Sequence, residues 1–170
     1  MKKLSSTIMV LFAFALAGYV WWRMHPNQDR VIVERVEDLA ERVTKPAGET
    51  NSIMALKMAG LSGLFADEVA IDLVPIEGFA IDNSVGGEEL ASLITQLRRT
   101  MFSELTLTCH DITVTRENDD EATATFTARL EGTPKHDTRQ TETREIHAQL
   151  RQIDGKWRFT AFRDEAVLVK

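Results

Sequence analysis

Apolar residues dominate positions 4–22, where no charge occurs; Lys2 and Lys3 precede the run and Arg23 follows it. As a helix this stretch measures about 28 Å at ~1.5 Å per residue, enough to cross a hydrocarbon core of roughly 30 Å. Tyr19, Trp21 and Trp22 gather at its far end, where amphipathic rings favour the headgroup level. The pattern predicts one transmembrane helix within residues 1–23 and a linker over 24–30. Lys2 and Lys3 favour a cytoplasmic N-terminus, although Arg23, Arg30 and Arg35 follow closely. The rest of the chain is then exported, to a periplasmic or extracellular face. The alternative is a secretory signal cleaved after Ala15-Leu16-Ala17, releasing a secreted protein that begins at Gly18.

Beyond the linker the spacing becomes helical. Ile32, Val36, Leu39 and Val43 form one stripe, predicting a helix capped by Asp29 and ended by Pro46 and Gly48. Ile53, Leu56, Gly60 and Leu64 predict a second helix over about 51–65. The period then falls to two. Val69, Ile71 and Leu73 face one way and Glu68, Ala70 and Asp72 the other, in a strand stopped by Pro75. After a loop through Gly78 and Asn83, Ser84 or Gly86-Gly87 opens a third helix, with Leu90, Leu93, Ile94 and Leu97 as its stripe.

Everything after Met101 reads as antiparallel sheet. Leu105, Leu107 and Cys109 alternate with threonines, but the apolar phase jumps to Ile112 and Val114, which predicts a β-bulge near His110-Asp111. Asn118-Asp119-Asp120 makes a turn, and Ala122, Ala124, Phe126, Ala128 and Leu130 share the face of the next strand. Gly132-Thr133-Pro134 turns the chain again. Ile146, Ala148 and Leu150 then oppose Glu145, His147, Gln149 and Arg151, and Asp154-Gly155 signals a hairpin into a last strand running from Trp157 to Val169. The fold class is therefore α+β: three helices in the N-terminal half packed on a curved, mainly antiparallel sheet, a cone, behind one transmembrane helix.

Composition narrows the partners. The net charge is −6, and Lys2, Lys3 and Arg23 belong to the anchor, so the domain over 31–170 is more acidic still. Nucleic acid, which needs clustered cations, is excluded, as is broad adhesion to anionic lipid. The single cysteine, Cys109, rules out an internal disulfide framework.

The order of elements resembles the nuclear transport factor 2-like superfamily, the cystatin-like α+β cone. Leu64-Phe65-Ala66-Asp67-Glu68-Val69-Ala70-Ile71-Asp72 is similar to its helix-to-strand step, and Asp154-Gly155-Lys156-Trp157-Arg158-Phe159 to its closing hairpin. The resemblance covers roughly 31–169. It implies either an enzyme with acids, a tyrosine or a histidine inside the cone, or a binding or assembly domain, and it implies homodimers paired through the sheet. Laying the Ala-Asp-Asp step of ketosteroid isomerases on Ala66-Asp67-Glu68 puts Leu73 where their base aspartate stands. The only tyrosine, Tyr19, lies in the apolar run, so that oxyanion donor is missing as well.

Other chemistry is thin. Gly60-Leu61-Ser62-Gly63-Leu64 misses the spacing of a nucleophile elbow, and Glu88-Glu89 fill the helix start that Gly86-Gly87 would otherwise offer to an anion. Of the four histidines, His25, His110, His136 and His147, none has ligand spacing to another, and HExxH and CxxC are absent, so neither a metal nor a cofactor is expected. His110 with Asp111, and His147 with Glu145, are the candidate catalytic pairs. Glu145, His147 and Gln149 share a face with Thr123, Thr125 and Thr127; the apolar face must cover the helices, so this polar face is expected outside. A pocket would then be lined by Leu56, Val69, Ile71, Leu73, Phe126, Ile146 and Leu150. The expected function is an exported, membrane-anchored binding or assembly domain, for a protein partner or a small apolar ligand. The alternative is a small-molecule lyase, isomerase or hydrolase using a pocket histidine and an acid.

Overall fold

The computed structural model describes residues 27–73, 83–135 and 137–165. The expected anchor, His25, the loop through Pro75 and Gly78, His136 and the last strand's end near Val169 lie outside them. Among the described residues no helix is long and apolar enough to cross a membrane. The chain divides into Met1–Val31 and a compact body, Ile32–Lys170.

Helix α1, Gln28–Val43, turns Ile32, Val36 and Leu39 inward, as its stripe predicts; Ala40 is buried as well, and Val43 at its end is half-buried. The cap is Asn27 and not Asp29: the Asn27 Oδ1 accepts the Asp29 N–H at 3.1 Å, leaving Asp29 in the first turn beside the positive helix end. Helix α2 is shorter than its spacing suggests, Asn51–Met58, capped by Thr50. Gly60 adopts φ +78, a left-handed conformation that ends the helical path, and a 3-10 turn, Ser62–Leu64, leads into strand β1, Phe65–Asp72. No α2 side chain is buried.

Strand β2, Ser84–Gly86, which the apolar spacing does not reveal, pairs antiparallel with β1. Helix α3, Gly87–Thr100, starts immediately afterwards. A Cβ on Gly87 would stand 2.2 Å from the Ala66 carbonyl oxygen, so only glycine lets the helix begin this close to β1. Four long strands follow: β3, Phe102–Arg116; β4, Glu121–Pro134; β5, Gln140–Ile153; and β6, Lys156–Glu165. Gly132, Thr133 and Pro134 continue β4 and do not form the expected turn; Gly132 is needed there because the Phe102 ring lies across it, 2.7 Å from where a Cβ would be. Asp154 and Gly155 both take positive φ, the twist a two-residue hairpin requires.

The six strands form one mixed, curved sheet in the order β2-β1-β6-β5-β4-β3. All neighbours are antiparallel except β1 and β6, which run parallel with Ile71 beside Phe162. The inner face carries the core. Phe65, Phe159 and Phe162 cluster with ring centroids 5.1–6.4 Å apart, and Trp157, Leu61 and Leu64 are buried as well. Each such side chain contributes about 1.5–3 kcal/mol by leaving water.

Three helix C-termini are closed by cations from other elements, where the helix dipole is negative. Arg98 of α3 donates from Nε to the Val43 carbonyl and from Nη2 to that of Thr44, at 2.9 and 2.8 Å. Arg42 Nη1 donates to the carbonyls of Lys57 and Ala59 at the end of α2. Lys45 Nζ donates to the carbonyls of Arg98 and Phe102 at the end of α3. Arg98 is fully buried, and Glu49, only 1 % exposed, neutralises it.

Candidate functional site

In an antiparallel pair, residues directly opposite one another share a face. The register sets Ala128 against Arg144, Leu130 against Glu142, Phe126 against Ile146, and Ile146 against Asp164. Cys109 and Leu107 of β3 continue the rows opposite Ala128 and Leu130. Arg144, Glu142 and Asp164 therefore stand on the inner face, in line with the apolar core. Around them the wall is half-buried at Leu107, Cys109, Ala128 and Leu130, whereas Phe126, Ile146 and Leu150 further along are closed over.

Arg144 organises this patch. Its Nε donates to Glu142 Oε1 at 2.6 Å, its Nη2 contacts the same oxygen, and its Nη1 reaches Asp164 Oδ2 at 2.5 Å. The Asp164 side chain is 4 % exposed and that of Glu142 38 %. Burial works against the guanidinium charge, but the hydrogen bonds to Glu142 and Asp164 outweigh it and raise the Arg144 pKa. Cys109 has its thiol pushed up to about 11, first by burial and then by the negative charge of Glu37. Both causes favour the protonated thiol, which makes Cys109 a poor nucleophile.

The pocket residues expected from the sequence divide. Val69, Ile71, Phe126, Ile146 and Leu150 are buried on the inner side, and Leu73 is half-buried just past β1. Leu56 is 76 % exposed on α2, a helix with no buried residue, and lines no interior. Asp72 points away from Ile71 and is exposed.

The candidate catalytic pairs lie elsewhere. His147 and Glu145 occupy the outer face: Thr125 Oγ1 meets His147 Nδ1 at 3.0 Å, and His147 Nε2 stands 3.8 Å from Glu145 Oε1. The bulge expected at His110-Asp111 is present, with Asp111 at φ 54 and a register shift between His110 and Thr113. It leaves both side chains exposed, and no hydrogen bond or ion pair joins them. Among the described residues no group of three or more His, Cys, Asp and Glu is placed to hold a metal.

Sequence reasoning missed Glu142, Arg144 and Asp164. The first two follow from extending the alternation of Ile146, Ala148 and Leu150 back along β5. Asp164 does not follow so simply. Thr160 is an extra residue on β6 between the pairs Leu150–Phe159 and Gln149–Ala161, and it brings Phe162 and Asp164 onto the face of Phe159.

The family model of the SnoaL-like domain matches residues 55–163. No curated protein matches the sequence. Solved structures share the fold. A provisionally named scytalone dehydratase from Novosphingobium aromaticivorans aligns with TM-score 0.62 at 13% identity, covering 80% of this chain and 81% of that one. A hexachlorocyclohexane dehydrochlorinase from Novosphingobium barchaimii gives 0.61 at 12% identity, covering 80% and 84%. A protein of unknown function with a cystatin-like fold from Nostoc punctiforme gives 0.54 at 17% identity, covering 81% and 90%. At these identities the likeness is one of fold, and it bears out the cystatin-like α+β architecture read from the sequence.

Proposed function

Because the chain belongs to the SnoaL-like domain family, we propose that its body binds a small, largely apolar molecule against the inner wall around Arg144. The observation that carries this reading is a polar trio, Glu142–Arg144–Asp164, fixed by its own ion pairs within a half-buried apolar wall. Small-molecule sites combine such walls with a few oriented polar groups. N-phenylnaphthylamine, a neutral dye that brightens when it leaves water, tests it. The dye is expected to bind the full chain and to lose that binding in Ala128→Phe, which fills the wall opposite Arg144. Equal binding by wild type and variant would place the dye elsewhere and overturn the reading.

The near-complete burial of Asp164 favours a second, catalytic reading. A carboxylate on this wall could take a proton in an elimination, the reaction class for which the dehydratase and the dehydrochlorinase among the structural neighbours are named. In that case Asp164→Asn abolishes turnover of a responsive β-hydroxy or β-halo alicyclic compound while dye binding persists. A panel of such compounds that yields no product with the wild type excludes it.

A membrane tether over residues 4–22, export of the body, and pairing of two copies through the outer sheet face complete the proposal. Alkaline phosphatase fused after Lys170 should be active, and an inactive fusion rejects export. Thr125→Arg on the outer face should convert a sedimenting dimer to monomer; a wild-type monomer rejects the pairing.

A further inference from the structure

The wall residues also carry information about which ligand they accept. Arg144 is the cation of the trio, and it faces two carboxylates, Glu142 and Asp164. A third, Glu37, is close enough to raise the Cys109 thiol pKa on the same wall. An anionic ligand approaching the guanidinium meets the two carboxylates already bound to it and must sit beside them or displace one. Displacing Asp164 would strand a carboxylate that is 4 % exposed, and displacing Glu142 would set two negative charges side by side. Glu142, by contrast, makes both of its Arg144 contacts through Oε1, so Oε2 retains lone pairs for a donor. Leu107, Leu130 and Ala128 supply the hydrocarbon surface around it.

Resting on the inner-wall reading above, we propose that the site selects an apolar molecule bearing a hydrogen-bond donor or a cationic nitrogen, and rejects carboxylates, sulfonates and phosphates. The discrimination is electrostatic: like charges brought together without water oppose binding, whereas a donor completes the acceptor that Glu142 presents.

Two dyes that differ only by a sulfonate test this on the full chain: N-phenylnaphthylamine and anilinonaphthalenesulfonate. Ala128→Phe, or Leu130→Trp should the first misfold, serves as the blank that isolates wall binding. The sulfonate dye is expected to bind the wall about tenfold or more weakly than the neutral dye. Glu142→Gln removes one charge at a partly exposed position; it should tighten the sulfonate dye about tenfold and weaken the neutral dye, whose N–H loses its carboxylate acceptor. Equal wall binding of both dyes, or a sulfonate dye indifferent to Glu142→Gln, overturns the selectivity and leaves the inner-wall reading standing. Failure of both dyes to distinguish wild type from the blank overturns that reading, and the selectivity with it.

Discussion

Arg98 and Glu49, 49 positions apart in sequence, meet entirely inside the protein, with Arg98 Nη2 3.0 Å from each carboxylate oxygen. The same guanidinium holds the end of α1 through Val43 and Thr44, so one side chain links a helix terminus, a loop carboxylate and α3. Glu49→Gln should destabilise the fold by about 3–5 kcal/mol, since it strands a buried cation. The double variant Arg98→Met/Glu49→Gln should cost less than the sum of the two single changes. Urea unfolding of the four proteins checks this, and additive losses would refute the coupling.

Cys109 provides the pH dependence. Its thiol moves from the ordinary value of 9.0 up to about 11, so folding favours the protonated form. That contribution is intact below pH 9.0 and is lost as pH climbs towards about 11. The stability difference between wild type and Cys109→Ala should therefore shift against wild type across that window. Iodoacetamide should alkylate the native thiol more slowly than the unfolded one at about pH 8; equal rates would contradict the shift.

Gly87 and Gly63 should respond oppositely to alanine. At Gly87 the new methyl group meets the Ala66 carbonyl oxygen at 2.2 Å, whereas at Gly63 nothing lies within 4 Å. Gly87→Ala should cost about 1–3 kcal/mol through overpacking. Gly63→Ala should be within about 0.5 kcal/mol of wild type. Thermal unfolding of the two variants reads the contrast.

Leucines at two nearby positions should likewise separate. Leu64 is 2 % exposed in the core and Leu56 is 76 % exposed on α2. Leu64→Ala should lose about 2–5 kcal/mol, and Leu56→Ser no more than about 0.5 kcal/mol. A large loss at Leu56 in denaturant titration would mean that α2 is covered in solution.

The sheet was legible where alternation ran undisturbed. Ala122, Ala124 and Phe126 of β4, and Ile146, Ala148 and Leu150 of β5, are buried as their period demands. Even the bulge at His110-Asp111 showed itself as a phase jump. Four features stayed hidden. Thr160 shifts the phase inside β6 without a compositional mark, which conceals Asp164. Strand β2 is too short for a period. The apolar spacing of α2 is genuine, but its Ile53 and Leu56 meet solvent, because periodicity reports a stripe and not what covers it. The Arg98–Glu49 pair joins a loop to a helix across the sequence, and no local pattern encodes it.

The parallel partnership of β1 with β6 dictates the timetable of folding. Phe65 leaves the ribosome long before Phe159, yet the two sit side by side in the finished sheet. Closing so long a loop costs entropy that nothing local can return, so collapse must wait for nearly the whole polypeptide to be synthesised. Until then the nascent β1 exposes an unsatisfied edge, and a chain arrested before β6 should be prey for chaperones and proteases.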